Sequence, residues 1–574
     1  MKSIKSNIPK YLKKYIVNQN YNKYSYIDHA CWRFIMKISL AFFSQHADKI
    51  YKEGLEETGI TLDKIPKINS INKKLKKFGW SAVCVRGFIP PQIFMEFQSL
   101  KILPIAADMR HHKHLTYTPA PDIVHEAAGH APIIANQEYS KYLMDYGEIA
   151  SKAIMSNEDM ELYYAIRDLS DAKENTQITD KQIKMYQDKL KKAYSNITYL
   201  SESSMLSRMN WWTVEYGLMG DIKNPKIYGA GLLSSVAESQ NCLDEKVKKI
   251  PLTIDCIKYK YDITEQQPQL FVTPNYRHLR NELKKLSKQM SYKTGGQYGL
   301  DAAIKAKTIC SIELDYQLGL SGVVKSYIKK NKKIIFVQLD GPTQISYKNK
   351  QINGHDKNYH KLGYSTPIGK IKSVNKNLNQ LNKLDIENLN IKLNKYIEIK
   401  FMSGINLSGT IKKIIKKSGK IILISFKDCL VQYKSKKLFK PEWGTYDLAC
   451  GEKINSVFGG PADKSKYFSD SLKTNYQYNK NKSTIIDNEL NDLYKKIWQI
   501  NKKNQTLNNL EKIYNIIQNK YPNEWLIKYE ILELSYKKID DNWVKSLEND
   551  MFKLASNKTD FSNAIKRGLN LIIK

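Results

Sequence analysis

The spacing of apolar residues divides the chain into regions with different periodicities. Apolar side chains recur every three or four positions in residues 22–60 and 138–220, which is the period of an amphipathic helix. Between these stretches, the run SAVCV predicts a short strand, and the Pro90-Pro91 pair predicts a loop that leads into another helix. The first half of the chain is therefore expected to be mostly α-helical.

Beyond about residue 295 the pattern becomes that of β-structure. The segment LSGVVKSYIKKNKKIIFVQLD, which begins at Leu320, is echoed by LSGTIKKIIKKSGKIILISFKD, which begins at Leu407. Each segment predicts two strands joined by a tight turn, and the repetition predicts a duplicated small β domain. The expected turns lie at Asn331-Lys332 and at Ser418-Gly419.

Helical spacing returns from about residue 483, where Leu, Ile, Trp and Tyr stand between Lys and Asn. A chain of 574 residues is also too long for a single compact core, so we expect a multidomain protein. Its predicted parts are a mostly α-helical region at 1–295, the duplicated β module at 296–462, and a linker with a helical tail at 463–574.

The formal net charge of +35 raises the question of nucleic acid binding, because polycations gain affinity by displacing counterions from phosphates. Only eight of the 92 basic residues are Arg, the side chain best suited to paired contacts with phosphate. The lysines are spread over the whole length and form no recognisable patch. The composition therefore does not predict a nucleic acid partner.

The seven cysteines never occur at CxxC spacing, and their odd number argues against a disulfide framework. Scattered free thiols are typical of a reducing compartment. The N-terminal residues lack the apolar core of a signal peptide, and no run of about 18 apolar residues predicts a membrane helix. These features predict a soluble cytoplasmic protein without a membrane partner.

The segment PDIVHEAAGHAP has the features of a metal site. Asp122 can cap a helix, and Gly129 with Pro132 is expected to end it. Five residues on a continuous α-helix place two side chains about 140° apart, so His125 and His130 can share one ion only if the helix unwinds at Gly129. Two neutral imidazoles and one carboxylate would leave coordination positions open on iron(II).

The carboxylate of such a site has to come from elsewhere in the chain. Glu126 points about 100° away from His125 on a helix. Glu215 is the better candidate because it lies in the apolar segment NWWTVEYGL, where a carboxylate is costly unless a partner such as a metal pairs it.

Other interpretations of the histidines are open at this point. A histidine on an apolar helix is more often a hydrogen-bonded core residue than a ligand. A zinc protease would need its second histidine four residues after the first, where this chain has Gly129. His111, His112 and His114 form a polar cluster that is more typical of a solvated loop.

Three motifs, PDIVHEAAGHAP, WWTVEYG and YGAGLLSSVAE, resemble in this order the catalytic domain of the pterin-dependent aromatic amino acid hydroxylases. The resemblance covers about residues 80–245 and is strongest with phenylalanine-hydroxylating members, among them long bacterial forms with a C-terminal extension. It implies an enzyme with iron(II) and tetrahydropterin as cofactors and dioxygen as co-substrate. The expected reaction is ring hydroxylation of an aromatic L-amino acid, with phenylalanine converted to tyrosine.

The resemblance also implies roles for individual residues. The expected iron ligands are His125, His130 and Glu215. The expected contacts of the substrate's polar end are Arg110, Thr118 and Ser234. The expected pterin contacts are Gly87, Ile89, Phe94 and Glu126, and the residues expected to assist catalysis are Glu126 and Tyr228.

The motifs depart from the family at Asn210-Trp211-Trp212, where Tyr-Trp-Phe is frequent, and at Tyr216, where Phe is usual. Because these positions are expected near the metal, tryptophan or tyrosine is an alternative substrate. An alternative of a different class is a basic RNA- or partner-binding protein with a vestigial metal site. The sequence leaves the oligomeric state and any allosteric regulation open.

Overall fold

The computed structural model describes residues 8–87, 89–116, 121–174, 178–262, 266–469, 488–503, 507, 509–557, 559 and 561–573. Within these residues the chain forms a helical region, a region of two large β-sheets, and a C-terminal group of helices. The order of the three parts is the order predicted from the hydrophobic pattern.

The first region, up to residue 306, is mostly helical as expected. Its α-helices are α1 Lys10–Lys13, α2 Tyr26–His46, α3 Lys49–Thr58, α4 Ile68–Leu75, α5 Pro91–Ser99, α6 Ala131–Ile134, α7 Gln137–Ala150, α8 Asn157–Glu174, α9 Asp180–Ser195, α10 Glu202–Asn210, α11 Ala230–Ser234, α12 Glu238–Asn241, α13 Tyr276–Ser287, α14 Ser291–Thr294 and α15 Gly296–Ala306. Two π-helices span Val124–His130 and Trp211–Glu215, and short 3-10 turns span Tyr21–Lys23, Lys76–Phe78, His112–His114 and Ile254–Lys258.

Six short strands complete the helical region. They are β1 Ser81–Val85, β2 Ile102–Ala106, β3 Leu218–Met219, β4 Lys226–Ile227, β5 Lys248–Pro251 and β6 Gln269–Thr273. Strands β1 and β2 pair in parallel, and the other four form one sheet in the order β4-β3-β6-β5. The predicted strand SAVCV is β1.

Local capping chemistry sets the boundaries of the N-terminal helices. Ser25 and Asp28 form a capping box that begins α2. This helix ends before Ala47, and the side chain of Asp48 then caps α3. The stretch predicted to be helical at 22–60 is therefore divided into two α-helices by a second capping residue.

The β region follows α15. Its strands are β7 Ile309–Leu314, β8 Leu318–Lys330, β9 Lys333–Tyr347, β10 Lys350–Gln351, β11 Gly363–Pro367, β12 Tyr396–Lys400, β13 Ile405–Lys417, β14 Lys420–Tyr433, β15 Lys436–Phe439, β16 Tyr446–Ala449 and β17 Ile454–Gly459. Its helices are α16 Lys383–Asn388 and α17 Lys464–Tyr467, with 3-10 turns at Asp315–Gln317, Leu378–Gln380 and Pro441–Trp443. One sheet has the order β10-β9-β8-β7-β17 with β11 beside β9, and the other has the order β12-β13-β14-β15 with β16 beside β14.

Each sheet contains one long hairpin, β8–β9 or β13–β14, which turns where the sequence predicts. Asn331 and Lys332 have φ values of 48° and 62°, and Ser418 and Gly419 have φ values of 50° and 77°. Positive φ at both central residues matches the turn to the twist of the strands. The pairing register shifts between Ser321/Val323, Val324/Ser326 and Ile328/Lys329 in the first hairpin, and between Ser408/Thr410, Ile411/Lys413 and Ile415/Lys416 in the second.

The two sheets share part of their core. Ile422 and Leu423 of β14 and Ala449 of β16 pack with residues of the first sheet, such as Leu320 and Val337. All five side chains are fully or almost fully buried. The β region is therefore one packed unit built from two sheets.

The β region is joined to the helical region by backbone contacts near the end of α7. Gly459 of β17 donates its N–H to the carbonyl of Lys152 at 2.9 Å, and the Thr308 hydroxyl donates to the carbonyl of Met155 at 2.6 Å. A side chain at Gly459 would collide with the carbonyl of Ala153. The close backbone contact therefore requires glycine at this position.

The C-terminal helices are α18 Asn488–Lys503, α19 Asn509–Lys520, α20 Trp525–Ser535, α21 Asn542–Ser556 and α22 Ser562–Ile573. They pack against α2, and their buried apolar residues belong to the same core as those of the helical region. Phe34 of α2 contacts the rings of Trp525 and Tyr529 edge-on, each at a centroid distance of 4.8 Å. The predicted helices are present. The sequence did not indicate that they dock on the helical region.

None of the helices that the structure describes combines the length and the apolar character needed to span a lipid bilayer. All seven cysteines are buried and none forms a disulfide, as their spacing predicts.

Candidate metal centre

Both histidines of the predicted pair lie inside one continuous helix. The π-helix Val124–His130 runs directly into α6, so the predicted helix stop at Gly129 is wrong. Hydrogen bonds in a π-helix join residues five apart, instead of the four of an α-helix. This wider turn brings His125 and His130 together without any unwinding.

Gly129 instead permits a close helix contact. A Cβ at this position would lie 2.6 Å from the carbonyl oxygen of Ala230, the first residue of α11. Asp122 accepts a hydrogen bond from the N–H of His125 at 3.0 Å, which satisfies a first-turn donor as predicted. The π-helix is thus fixed at its beginning by a cap and along its side by α11.

Glu215 is the last residue of the second π-helix. Its carboxylate accepts hydrogen bonds from the Asn210 side-chain amide at 3.4 Å and from the backbone N–H of Gly231. A Cβ on Gly231 would lie 3.0 Å from the Glu215 carbonyl oxygen, and one on Gly229 would collide with it. The two glycines therefore let the start of α11 reach Glu215.

The three predicted ligands converge. His125 Nε2 lies 3.2 Å from His130 Nε2 and 3.4 Å from Glu215 Oε2, and His130 Nε2 lies 3.5 Å from Glu215 Oε1. Two ligands about 2.1 Å from one ion, at angles of 90–109°, are about 3.0–3.4 Å apart. The spacing of these atoms fits a single divalent transition-metal ion.

Ser234 fixes the orientation of His125. The Ser234 hydroxyl donates to the carbonyl of Ala230 at 2.8 Å, and its oxygen lies 2.9 Å from His125 Nδ1. Because its own proton is engaged, Ser234 accepts from Nδ1–H, which leaves the Nε2 lone pair free for a metal. Its predicted contact with the substrate stays a prediction.

Burial controls the protonation of the three ligands. Burial lowers the pKa of His125 to about 4. Burial lowers the pKa of His130 well below its usual value, and the charge of the neighbouring His125 adds to this effect. Burial raises the pKa of Glu215 to about 7, against the opposing hydrogen bonds from Asn210 and Gly231. Neutral imidazoles are the form that binds a metal, and a cation would offset the cost of burying the carboxylate.

Glu126 places a second carboxylate beside the ligands. It is buried, its Oε2 lies 4.0 Å from His130 Nε2, and this oxygen has no hydrogen-bond partner among the described residues. Burial, with the charges of Glu215 and Asp122, raises the pKa of Glu126 well above its usual value. A buried acceptor without a partner is costly, so this oxygen is suited to an N–H of a bound molecule.

Arg110 lies next to the same helix and is almost fully buried. It pairs with Asp122 through two hydrogen bonds, Nε to Oδ2 at 2.7 Å and Nη2 to Oδ1 at 3.0 Å. Burial raises the pKa of the Asp122 carboxyl, but Arg110 and two backbone N–H groups outweigh burial and lower it below its usual value. The contact of Arg110 Nη1 with the carbonyl of Leu115 is longer, at 3.4 Å.

The other predicted site residues lie in different surroundings. Gly87 has a φ of 57° and donates its N–H to Asp108 at 3.2 Å, and Tyr228 packs in the core against the rings of Tyr139 and Tyr276. Thr118 lies outside the described residues. Ile89 and Phe94 are half-buried, the first beside residues of β1 and β2 and the second on α5. His112 lies 3.5 Å from the carboxylate of Glu524, the residue that precedes α20.

The residues that depart from the family motif form an aromatic stack beside Glu215. The Trp211 ring stacks on Tyr216 at 4.5 Å and on Tyr261 at 4.4 Å between centroids. The motifs identify Asn210 only as a departure from the family pattern, and its contact with Glu215 is seen only in the structure. Its position five residues before Glu215, the span of one π-turn, is the signal that identifies it.

Known proteins are similar to a part of the chain. The phenylalanine-4-hydroxylase of Chromobacterium violaceum is 28% identical over 265 residues, which cover 44% of this chain and 74% of that protein. The phenylalanine-4-hydroxylase of Pseudomonas aeruginosa is 27% identical over 258 residues, which cover 45% and 81%. The crystal structure of the C. violaceum enzyme with iron(III) and 7,8-dihydrobiopterin matches with 26% identity and a TM-score of 0.38, covering 48% of this chain and 86% of that chain.

A family model described as biopterin-dependent aromatic amino acid hydroxylase matches residues 3–204 and 200–305. The first match includes His125 and His130, and the second includes Glu215. Together they cover just over half of the 574 residues. The chain therefore belongs to the family of biopterin-dependent aromatic amino acid hydroxylases.

Proposed function

We propose that this chain is an iron(II)- and tetrahydropterin-dependent monooxygenase that hydroxylates the ring of an aromatic L-amino acid and converts phenylalanine to tyrosine. The observation that carries the proposal is the convergence of His125, His130 and Glu215, whose facing atoms lie 3.2 to 3.5 Å apart. Family membership supports the pterin, and the named relatives support phenylalanine as the substrate.

Two imidazoles and one carboxylate are the ligand set that suits iron(II) with open coordination positions. When bound, iron(II) and the reduced pterin supply the electrons that reduce dioxygen, so that one oxygen atom can be transferred to the substrate ring. The protein keeps His125 in the tautomer that presents Nε2, through Ser234, and holds Glu215 through Asn210. The low exposure of the His125 and Glu215 side chains, 19% and 15%, limits the access of water to the reaction.

The pterin is proposed to bind beside Glu126, with Gly87, Ile89 and Phe94 lining its site. The support is the buried Glu126 Oε2, which has no partner among the described residues and is close to His130. A pterin ring carries N–H donors that this oxygen can accept. Tyr228 is proposed to act from the core, by supporting the backbone near Gly217, against which its ring packs.

Arg110 is proposed to bind the carboxylate of the amino acid. Its guanidinium already forms a two-point contact with Asp122, which fixes its plane. The contact to Leu115 is long, so Nη1 can donate to a stronger acceptor such as a carboxylate. Thr118 and Ser234 are proposed to complete this end of the substrate site.

The chain is proposed to consist of three parts, 1–295, 296–462 and 463–574. The second part is proposed to contain two copies of one β unit. The support is that both long hairpins have the same turn type and that their three register shifts begin at corresponding places in the repeated sequence. Two of these shifts are identical on both strands, and the third skips one more residue in β9 than in β14. Bulges are conserved features of a strand, so two identical shifts in one order favour duplication over chance.

The test is to incubate the purified full chain with iron(II), a reduced pterin and each aromatic amino acid, and to analyse the products. Tyrosine formed from phenylalanine, dependent on pterin and dioxygen, is expected. A product from tryptophan or tyrosine alone would contradict the choice of phenylalanine and keep the reaction class. Turnover without dioxygen would favour a zinc hydrolase and contradict the whole proposal.

A variant separates the enzyme from a binding protein with a vestigial site. His125→Ala is expected to abolish turnover, since it removes one iron ligand. If the protein instead only binds RNA or an acidic partner, its affinity for that partner would fall steeply with salt and would survive the substitution.

A further inference from the structure

The β region contains a second group of potential metal ligands, formed by His355, His360 and Asp447. All three side chains are buried. The two histidines come from the loop between β10 and β11, whereas Asp447 comes from β16 in the other sheet. The group therefore lies where the two sheets meet.

The ligand atoms of this group converge nearly as closely as those of the hydroxylase centre. His355 Nδ1 lies 3.2 Å from His360 Nε2, and each of these nitrogens lies 4.0 Å from Asp447 Oδ2. At this distance the carboxylate is too far from either ring for a direct hydrogen bond. A shift of about half an ångström would bring it to the spacing of neighbouring metal ligands.

The loop that carries the histidines is fixed to β9. The carbonyl of His355 accepts from the N–H of Ile345, and the carbonyl of His360 accepts from the N–H of Thr343, both at 3.0 Å. Between them, Asp356 accepts two backbone N–H groups at 2.9 Å and so forms the turn that brings the chain back. The positions of both rings are thus set by ordered backbone.

Asp447 is oriented by partners of its own. The Ser425 hydroxyl donates to Oδ1 at 2.5 Å, and the Tyr364 hydroxyl donates to the Asp447 carbonyl at 2.7 Å. The Tyr359 hydroxyl also hydrogen-bonds to this carboxylate. Such contacts from surrounding groups are what orient the ligands of protein metal sites.

The group borders an open cavity of about 510 Å³ that both His360 and Asp447 line. Tyr359, Trp443 and Lys361 are also in its wall. Three protein ligands beside a cavity leave at least one coordination position for water or a small anion.

We propose that His355, His360 and Asp447 bind a second divalent transition-metal ion of the zinc and iron(II) class. The ion would join the two β-sheets and keep one coordination position toward the cavity. Imidazole ligands favour this class over magnesium and calcium, which prefer oxygen ligands alone. The site does not depend on the proposed hydroxylase activity.

Titration of the full chain with Co2+ tests the number of sites. After removal of metals by a chelator, bound cobalt is measured by its visible absorption and by elemental analysis. The wild-type protein is expected to bind two equivalents, and His125→Ala/His130→Ala is expected to bind one. No bound cobalt in the double variant would overturn the proposal. One equivalent in both proteins would support it, because that ion could not depend on His125 and His130.

A further substitution in the double variant tests the location. Asp447→Asn keeps an acceptor for Ser425 but removes the charge, so the affinity for cobalt is expected to fall at least about 100-fold. Asp340→Asn is the matched control, because Asp340 lines the same cavity but pairs with Lys325 in solvent. The affinity of this variant for cobalt should be unchanged. If Asp447→Asn fails to fold, His360→Gln replaces it. Undiminished cobalt binding by either folded variant would overturn the assignment.

Discussion

At the scale of single residues, the proposed metal centre depends on hydrogen bonds that decide which atom each candidate ligand offers. Ser234 holds the proton of His125 on Nδ1, and Asn210 holds one oxygen of Glu215. These partners come from α11 and α10, and they place the His and Glu lone pairs toward a common point. The chemistry of the ligands was evident from the motifs, whereas their partners became visible only in the folded chain.

Glu126→Gln tests the proposed acceptor for the pterin. The amide would present a donor where the pterin needs an acceptor, so the KM for the reduced pterin should rise roughly 10-fold or more, with bound iron unchanged. Steady-state kinetics with varied pterin and an iron assay measure the two effects. Glu138→Gln, an exposed change on α7, should alter neither. Loss of iron with an unchanged pterin KM would contradict the assignment.

Glu238 of α12 gives a prediction on pH. Burial raises its pKa from 4.5 to about 7, so the folded state holds this proton more tightly than the unfolded state. The resulting stability is present below about pH 4.5 and is lost as the pH rises toward about 7. The free energy of unfolding of Glu238→Gln, taken relative to the wild type, should therefore be about 1–3 kcal/mol higher at pH 8 than at pH 4. The range allows for partial solvent access to Glu238. Urea unfolding at both pH values measures the difference, and equal differences would contradict it.

At the scale of elements, the centre is built from two π-helices held together by glycines. The spacing of His125 and His130 predicted that the two rings converge, and they do, but the predicted helix stop at Gly129 is wrong. An α-turn and a π-turn differ by one residue in their hydrogen bonding, and the choice is made by packing against α11. The hairpin turns were predictable because Asn331-Lys332 and Ser418-Gly419 determine them locally.

Gly129→Ala tests the contact between the first π-helix and α11. The added Cβ would meet the carbonyl of Ala230 at 2.6 Å, so the helices must separate and the ligands with them. We expect a loss of roughly 1–3 kcal/mol in the free energy of unfolding and at least a tenfold loss of iron affinity. Gly299→Ala is the control, since its Cβ would meet the Val457 side chain at 2.8 Å, away from the centre. Gly299→Ala should reduce stability and leave iron binding unchanged. Equal losses of iron affinity in the two variants would contradict the explanation.

At the scale of the whole molecule, the C-terminal helices complete the core of the catalytic region. Arg33 of α2 and Glu530 of α20 form a buried ion pair, and the Arg33 guanidinium also lies 4.5 Å from the centre of the Trp498 ring. Contacts between residues about 500 positions apart have no local signal, so the sequence predicted the helices and not their docking. The same holds for the approach of His360, in the loop between β10 and β11, to Asp447 of β16.

Glu530→Gln tests the docking of the tail. The substitution would leave the buried Arg33 without a counter-charge, at a cost of about 3–5 kcal/mol. We expect a lower free energy of unfolding and faster proteolytic cleavage of the tail. Glu489→Gln removes an ion pair with Lys520, in which the Lys520 side chain is 57% exposed and the Glu489 side chain 52%. This substitution should lower the free energy of unfolding by less than about 1 kcal/mol. Similar losses in the two variants would contradict a tight interface at α2.

The most direct measurement is the fate of labelled dioxygen. The full chain, loaded with iron(II), reduced pterin and phenylalanine, is supplied with 18O2 and the amino acid product is analysed by mass spectrometry. Tyrosine that carries one 18O atom is predicted for the wild type and for Asp447→Asn, and no labelled product is predicted for Glu215→Ala. Tyrosine without 18O, whose new oxygen atom would come from water, or labelled tyrosine from Glu215→Ala at the wild-type rate, would contradict hydroxylation at the His125–His130–Glu215 centre.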